Sequence, residues 1–183
     1  MNSLIFEGPD GAGKSTLIRR VMQAVPVTRY VHHGTYRGIE NVYRMYLQPM
    51  IDASAPPVPK TGYALVTDRS WLAEPIYGTV MRGGVNRIEP WHCDVLETIF
   101  ANSGGVVVLC LPPVETCIEN WNARRECEYP EEAEQISLLW YAYAAAAAKW
   151  IARGLRVVTY NYTADASNGV GIMDELAMLR REK

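Results

Sequence analysis

One short run of residues constrains this chain more than any other feature. Residues 8–16 read Gly-Pro-Asp-Gly-Ala-Gly-Lys-Ser-Thr, which fits the pattern G-x-x-x-x-G-K-[ST] without a mismatch. A short apolar segment, Ser3–Glu7, precedes the run, and a helical pattern from Ser15 to about Ala24 follows it. A glycine-rich turn between a strand and a helix is the setting in which this pattern binds phosphate groups. The sequence therefore predicts a phosphate-binding loop for a nucleotide.

Each residue type in the loop has a predicted task. The glycines let the backbone wrap around a β-phosphate, so that successive N–H groups point inward. Lys14 is predicted to reach the β- and γ-phosphate oxygens, and Ser15 to offer its hydroxyl to Mg²⁺. We therefore expect ATP and Mg²⁺ as cofactors. The predicted nucleotide-binding residues are Gly8, Pro9, Asp10, Gly11, Ala12, Gly13, Lys14, Ser15 and Thr16.

Strand and helix patterns alternate along the chain. Strands are predicted at Ser3–Glu7, Arg29–His33, Tyr63–Asp68, Gly105–Leu111 and Leu155–Tyr160. Helices are predicted near Ser15–Ala24, Glu40–Ile51, Trp71–Met81, Pro90–Asn102, Val114–Asn122, Glu131–Ala152 and Val170–Arg181. Residues 106–109 are apolar throughout, which indicates a strand buried on both faces, as in a parallel sheet covered by helices. We predict a single three-layer α/β/α domain over residues 1–183.

Composition argues against several other classes of protein. The chain has 183 residues, of which 49% are hydrophobic, enough for one sizeable core. Its net charge of −2 provides no global basic field for nucleic acid, although a local basic patch stays open. The longest charge-free helical stretch, residues 136–148, is too short to span a bilayer. Because the first strand begins within three residues, we expect no signal peptide and a cytoplasmic protein, in the host cytoplasm if it is viral.

The cysteines give no sign of a metal centre. Cys93, Cys110, Cys117 and Cys127 form no C-x-x-C pair and have no histidine at ligand spacing. This usage is typical of reduced thiols in a cytosolic protein.

A second polar segment, Asp68-Arg69-Ser70, directly follows the third predicted strand. Groups at the carboxyl ends of parallel strands meet the ligand, so Asp68 and Arg69 are expected beside the phosphate loop. Asp68 would hold Mg²⁺, directly or through water, and Arg69 would grip a phosphate or the transferring group. The alternative is a structural role, an ion pair at the strand end with Asp68 capping the next helix.

A third polar segment covers residues 122–132 and contains Arg124 and Arg125. Paired arginines on a mobile loop can close over the γ-phosphate and neutralise the charge that develops during transfer. The alternative is a solvated helix end, in which the arginines pair with Glu128 and Glu132. We interpret the segment as a lid.

Together these segments resemble the thymidylate kinase family of nucleoside monophosphate kinases. Residues 6–16 look like that family's phosphate loop, in which the acidic residue, here Asp10, faces the acceptor sugar. Asp68-Arg69, with Tyr77 further on, resembles its D-R-[YH] segment, whose arginine holds the acceptor phosphate, and Arg124-Arg125 resembles its lid. Because position 11 is glycine rather than arginine, the resemblance implies that the catalytic arginine comes from the lid. It also implies a five-stranded parallel sheet, an acceptor region over about 32–90 and, in cellular members, commonly a dimer.

The chain departs from the cellular members of that family around the acceptor. Those members carry R-E-P-G after the second strand, whereas residues 31–37 here read Val-His-His-Gly-Thr-Tyr-Arg. They also carry an aromatic residue and later serine or asparagine after the Asp-Arg pair, where this chain has Ser70, Ala73 and Glu74. A short chain with Asp68-Arg69-Ser70-Trp71-Leu72 looks like the bacteriophage branch. Some members of that branch phosphorylate the hydroxymethyl group of 5-hydroxymethyluracil within DNA.

Two acceptors stay open on this basis. A phosphate acceptor mainly needs cations, whereas a hydroxyl acceptor loses a proton and benefits from a general base. Asp10, His32 and His33 are candidate bases, so we favour the hydroxyl of 5-hydroxymethyluracil in DNA over dTMP. Candidate DNA contacts are Tyr36, Arg37, Arg44, Arg82 and Arg87. Candidate catalytic residues are Lys14, Asp10, Arg69, Arg124 and Arg125, and candidate metal ligands are Ser15 and Asp68.

Other nucleotide binders fit the sequence less well. A regulatory GTPase needs an N-K-x-D segment, which this chain lacks. A non-catalytic ATP-binding module has no need of lid arginines. The alanine run in the helix predicted near Glu131–Ala152 suits a tight helix contact, either within the chain or in a homodimer.

Overall fold

The computed structural model describes residues 3–34, 41–54, 62–124, 130, 132–164 and 170–181. Its strands are β1 (Ser3–Glu7), β2 (Val27–His32), β3 (Tyr63–Asp68), β4 (Val106–Cys110) and β5 (Arg156–Tyr160). Its helices are α1 (Lys14–Ala24), α2 (Val42–Ala53), α3 (Ala73–Met81), α4 (Pro90–Asn102), α5 (Val114–Arg124), α6 (Ala133–Ala152) and α7 (Val170–Arg181).

All five strands join one parallel sheet in the order β2-β3-β1-β4-β5. Both β1 and β4 are buried along their whole length, as apolar strands covered on both faces must be. The register sets Phe6 of β1 beside Asp68 of β3, so the ends of these two central strands lie at the same edge of the sheet. The predicted α/β class with a five-stranded parallel sheet is confirmed.

Helices cover both faces of the sheet. Alternate side chains of the central strands point to opposite faces, so Ile5 belongs to one apolar cluster and Leu4 and Phe6 belong to another. The first cluster includes residues of α2, α3, α4 and α6, and the second includes residues of α1, α5, α6 and α7. This arrangement gives the three layers, and it leaves the carboxyl ends of the strands as the open edge where a ligand can bind.

Helix boundaries differ from the sequence prediction by a few residues, each for a local reason. Helix α2 begins at Val42 because the Asn41 side chain accepts a hydrogen bond from Arg44 N at 2.8 Å and caps it. Helix α3 begins at Ala73 rather than at Trp71, after a turn. Helix α5 continues to Arg124, so the first part of the predicted lid is helical. A basic residue in the last turn of a helix is favoured by the helix dipole.

The alanine-rich helix α6 packs within its own chain. Its buried residues are Ile136, Leu139, Tyr143 and Trp150. Among the described residues, no helix is both long and apolar enough to cross a lipid bilayer. A homodimer contact through the rest of the helix stays a prediction.

Candidate phosphate-binding site and the network beside it

Two glycines of the predicted phosphate loop have no room for side chains. A Cβ on Gly8, whose φ is 138°, would lie 2.2 Å from the carbonyl oxygen of Cys110 at the end of β4. A Cβ on Gly11, whose φ is 77°, would lie 2.2 Å from the carbonyl oxygen of Cys117 in α5. Both positions therefore need glycine for conformation and for space, and β4 and α5 support the loop from behind.

Lys14 folds back over the loop that precedes it. Its Nζ donates to the carbonyl oxygens of Gly8 at 2.8 Å and Pro9 at 2.7 Å, and the residue is buried. Burial and the nearby charge of Arg69 lower the pKa of the ammonium below its usual range. The loop thus holds a cation where phosphate oxygens can replace carbonyl oxygens as its partners.

Ser15 and Asp68 come together at the start of α1 and the end of β3. Ser15 Oγ donates to Asp68 Oδ2 at 3.0 Å, and His32 Nδ1 lies 3.3 Å from the same oxygen. Asp68 is 1% exposed, and its Oδ1 has no hydrogen-bond partner among the described residues. Burial alone would raise the pKa of this carboxyl, but His32, Lys14 and Arg69 lower it to about 2. An ionised carboxylate beside a hydroxyl supplies oxygen ligands of the kind that Mg²⁺ binds.

The predicted structural alternative for Asp68, capping of the next helix, is wrong. In the part of the chain that the structure describes, no side chain caps α3, and the polar contact in the turn before it comes from Ser70, whose Oγ accepts from Leu72 N at 3.1 Å. Asp68 points to Ser15 and His32 instead.

Asp10, Arg69 and Tyr77 form a closed triangle of hydrogen bonds. Arg69 donates to Asp10 Oδ1 and to the hydroxyl of Tyr77, and that hydroxyl donates to Asp10 Oδ2 at 2.9 Å. Burial opposes ionisation of Asp10, but the charges of Arg69 and Lys14 and the Tyr77 hydrogen bond lower its pKa. Asp10 is therefore a firmly held carboxylate, a weak base and a strong hydrogen-bond acceptor.

The backbone at Arg69 is in the left-handed region, with φ of 69°, where residues other than glycine are uncommon. Its N–H donates to the carbonyl oxygen of Phe6 at 2.9 Å, which ties the turn after β3 to the end of β1. Strained backbone of this kind tends to occur at functional sites, where the surrounding structure holds it in place.

Glu7 is a functional candidate that sequence reasoning missed. It is fully buried at the end of β1, and it accepts hydrogen bonds from Ser70 Oγ at 2.6 Å and Tyr143 OH at 3.1 Å. Burial raises the pKa of its carboxyl to about 7, against the opposing effects of Ser70, Arg69 and Tyr143. The available signal was a charged residue at the end of an apolar strand, directly before the glycine loop.

The two histidines differ from each other in a way that the sequence did not reveal. His33 is 4% exposed, its ring centroid lies 4.8 Å from that of Tyr46, and burial lowers its pKa to about 4. His33 is therefore a buried ring packed against α2, and its part as a candidate base stays a prediction. The side chain of His32 is 55% exposed and contacts Asp68.

Arg82 and Arg87, predicted as contacts to DNA, bind an internal carboxylate, and their contact with DNA stays a prediction. Both arginines form ion pairs with Glu74, which is 2% exposed and also accepts from Tyr46 OH at 2.7 Å. A buried carboxylate needs such partners to stay ionised. The candidates Tyr36 and Arg37 lie outside the described residues.

A cavity of about 250 Å³ opens next to the phosphate loop. Its lining residues are Gly13, Thr16, Leu17, Arg20, Asn120, Arg124, Tyr160 and Tyr162. Asn120 Nδ2 joins the cavity to the loop, because it donates to Gly11 O at 2.8 Å and to Tyr162 OH at 2.6 Å. The structure thus places Arg124 beside the start of α1, while Arg125 lies outside the described residues.

No protein-family model matches this chain, and neither does any curated protein. The chain is similar in structure to the YorR protein from Bacillus subtilis in complex with phosphorylated GDP, with a TM-score of 0.72 at 15% identity over 99% of this chain and 98% of that one. It is also similar to deoxyadenosine kinase from M. mycoides. With the products dCMP and dCDP bound, that kinase gives a TM-score of 0.60 at 15% identity over 96% of this chain and 99% of that one. With dCTP bound, the same kinase gives a TM-score of 0.57 at 17% identity over 97% of this chain and 100% of that one. The chain therefore shares its α/β fold with these structures.

Proposed function

We propose that this protein is a kinase that transfers the γ-phosphate of ATP to a hydroxyl group of a thymidine-like acceptor. The observation that carries the proposal is Asp10, an ionised carboxylate within the phosphate loop that Arg69 and Tyr77 hold in place. A phosphate loop alone is compatible with many reactions. A carboxylate fixed in that loop gives an acceptor hydroxyl a group to donate its proton to.

The donor would bind along the start of α1. The phosphates would bind to the loop and Lys14. The nucleoside would bind in the neighbouring cavity, where Arg124 and Tyr162 offer flat surfaces for a base. Ser15 and Asp68 would hold Mg²⁺, which neutralises charge on the β- and γ-phosphates when bound. In this proposal Arg124 contacts the donor, and Arg125 remains a candidate for the charge that develops during transfer.

The low pKa of Asp10 is compatible with its proposed part in the reaction. Phosphoryl transfer passes through a loose transition state, in which the attacking hydroxyl needs orientation more than early deprotonation. A weak base that accepts a strong hydrogen bond can orient the hydroxyl and take its proton late. Arg69 and Tyr77 keep the carboxylate ionised and in one position.

The surroundings of the acceptor support 5-hydroxymethyluracil in DNA as the acceptor that we propose first. Ser70 and Glu74 occupy positions where cellular thymidylate kinases recognise pyrimidine, but here Ser70 bonds to Glu7, and Glu74 bonds to Tyr46 and two arginines. These polar groups are buried and already paired. The altered pocket and the resemblance to the bacteriophage branch favour an unusual acceptor over dTMP.

One observation favours the alternative, a deoxynucleoside monophosphate kinase that makes dTDP from dTMP. Arg69 is a partly buried guanidinium next to the phosphate loop, and Asp10 raises its pKa well above the usual range. A permanent cation in this position suits an acceptor phosphate. The deoxyadenosine kinase from M. mycoides has deoxynucleotides bound in its structures, and this is compatible with either acceptor.

The proposal is tested by transfer of radiolabelled γ-phosphate from ATP to a panel of acceptors. The panel holds dTMP, other deoxynucleotides, free deoxynucleosides, unmodified DNA and DNA that contains 5-hydroxymethyluracil. We expect label on the modified DNA and none on unmodified DNA of the same sequence, which is the matched control. Label on dTMP alone would establish the alternative, and no label on any acceptor would contradict a kinase.

A further inference from the structure

The carboxyl group of Glu7 is a buried titratable group that has no part in the proposed reaction. It ends β1 directly before the phosphate loop, and it is 0% exposed. Ser70 Oγ donates to its Oε1 at 2.6 Å, and Tyr143 OH donates to its Oε2 at 3.1 Å. Each carboxylate oxygen is thus bonded to a different part of the chain, the turn after β3 and helix α6.

Ser70 extends this contact into the turn that carries Arg69. The serine hydroxyl donates to Glu7 and at the same time accepts from Leu72 N at 3.1 Å. Arg69 directly precedes it in the left-handed conformation, and Phe6 O accepts from the Arg69 N–H at 2.9 Å. Two neighbouring residues at the end of β1, one through its backbone and one through its side chain, therefore hold a backbone conformation that arginine rarely adopts.

We propose that Glu7 is a positioning residue, which fixes the turn at Arg69 through Ser70 and so directs the Arg69 guanidinium at Asp10. Arg69 has a long, flexible side chain, so its position depends on where the turn places its Cα. If the turn relaxes, Asp10 loses its main cationic partner and the acceptor loses an oriented carboxylate. Displacements of about 1 Å in catalytic geometry can reduce a rate by about a hundredfold. The predicted effect on rate depends on the proposed kinase function, but the effect on the turn does not.

A purely structural role for Glu7 makes a different prediction. A carboxylate that only fills space and satisfies two hydroxyls would change stability on removal, and each folded molecule would still turn over normally. Turnover per folded molecule therefore separates positioning from packing.

The kinetic test compares four variants on ATP and an oligonucleotide that contains 5-hydroxymethyluracil. We expect Glu7→Ala and Ser70→Ala each to lower kcat by about 30-fold with little change in KM for ATP. Glu7→Gln keeps an oxygen that accepts from Ser70, so it should stay within about threefold of wild type. Tyr143→Phe is the matched control, because it removes the other hydrogen bond to Glu7 without touching the turn, and its kcat should also stay within about threefold.

A second measurement does not depend on activity. Amide hydrogen exchange at Arg69 should become at least about tenfold faster in Glu7→Ala and Ser70→Ala, whereas the Leu111 amide, which donates to Tyr160 O at 2.8 Å, should be unchanged. If Glu7→Ala does not fold, the exchange rate at Arg69 and the kcat of Ser70→Ala decide whether the positioning role holds, since that variant leaves the carboxyl group of Glu7 in place. Unchanged exchange at Arg69, or faster exchange with normal kcat, would overturn the positioning role. A wild-type chain without kinase activity would overturn the proposed function, and exchange at Arg69 would still decide whether Glu7 holds the turn.

Discussion

The phosphate loop and the network beside it hold charge by different physical means. In the loop, the groups that would meet phosphate belong to one contiguous segment, residues 8–16, and most of them are backbone N–H groups fixed by glycine geometry. In the network, every group that matters is a side chain. Its members come from β1, the loop, the turn after β3 and α3, and they are Glu7, Asp10, Arg69, Ser70 and Tyr77.

This difference predicts how each region responds to change. Backbone N–H groups carry no titratable charge, so the loop should be insensitive to pH apart from Lys14 and Asp10, which also belongs to the network. The network holds the buried carboxyl of Glu7 and the partly buried ion pair of Asp10 and Arg69, and such charges are stable only while their partners stay in place. We therefore expect loop variants to lose turnover through one cation. Network variants that remove Arg69, or the hydrogen bonds that hold its turn, should change rate and stability together.

The largest expected effect belongs to the loop. Lys14→Ala removes the cation next to the β- and γ-phosphates, and we expect turnover to fall at least about a hundredfold with the fold intact. Steady-state kinetics and a thermal melt check this, with the exposed Lys149→Ala as the matched control. Normal turnover in a folded Lys14→Ala protein would remove the basis for a phosphate-binding loop.

The network should respond to the loss of its central cation. Because Arg69→Ala removes the ion pair that holds Asp10, it should lower kcat on the oligonucleotide that contains 5-hydroxymethyluracil by about 30-fold. The control is Arg153→Ala, because Arg153 also forms ion pairs, but with Asp94 and Glu97 at the surface. An Arg69→Ala protein with normal kcat and a raised KM for dTMP would point instead to an arginine that clamps an acceptor phosphate.

A smaller effect should separate the two arginines of the predicted lid. Since Arg124 lines the cavity beside Thr16, Arg124→Ala should raise KM for ATP by about fivefold with little change in kcat. Arg125→Ala should instead lower kcat, with no shift in melting temperature in either variant. A loss of stability with unchanged kinetics would assign both arginines to an ordinary helix end.

The smallest expected effect is the pH dependence of stability that Glu7 introduces. Its pKa is about 7 in the folded protein, against the usual 4.5. The folded state therefore binds the proton more tightly, and stability falls as pH rises towards the folded pKa. Between about pH 6 and pH 8 wild type should lose about 1 kcal/mol relative to Glu7→Gln, a change of about 2–4 °C in melting temperature. Parallel pH profiles of the two proteins would mean that Glu7 does not titrate in this range.

The sequence predicted those parts of the molecule whose causes are local. Strands β1 and β3 have the predicted bounds, because continuous apolar runs determine them, and the glycine pattern lies between β1 and a helix as predicted. The same strand pattern predicted that Asp68 would end β3 near the loop, and its contact with Ser15 agrees with that expectation. Parallel-sheet topology alone is enough to bring these groups to one edge.

The network could not be predicted in the same way, because its contacts join distant parts of the chain. Glu7 is bonded to a residue 63 positions away and to another 136 positions away. A polar residue in an apolar segment looks the same in sequence whether it faces water or a buried hydroxyl. His33 is a similar case, since its low pKa depends on Tyr46 from α2 lying against its ring.

The central claim is that Asp10 acts on an acceptor hydroxyl, and single-turnover transfer tests it most directly. Wild type and Asp10→Asn are each mixed with labelled ATP and either dTMP or an oligonucleotide that contains 5-hydroxymethyluracil. We predict transfer to the oligonucleotide by wild type, and a rate about 10²–10⁴-fold lower for Asp10→Asn, as expected when a general base is lost. Transfer to the oligonucleotide by Asp10→Asn at the wild-type rate would contradict the claim, and His32 would then be the next candidate for the base.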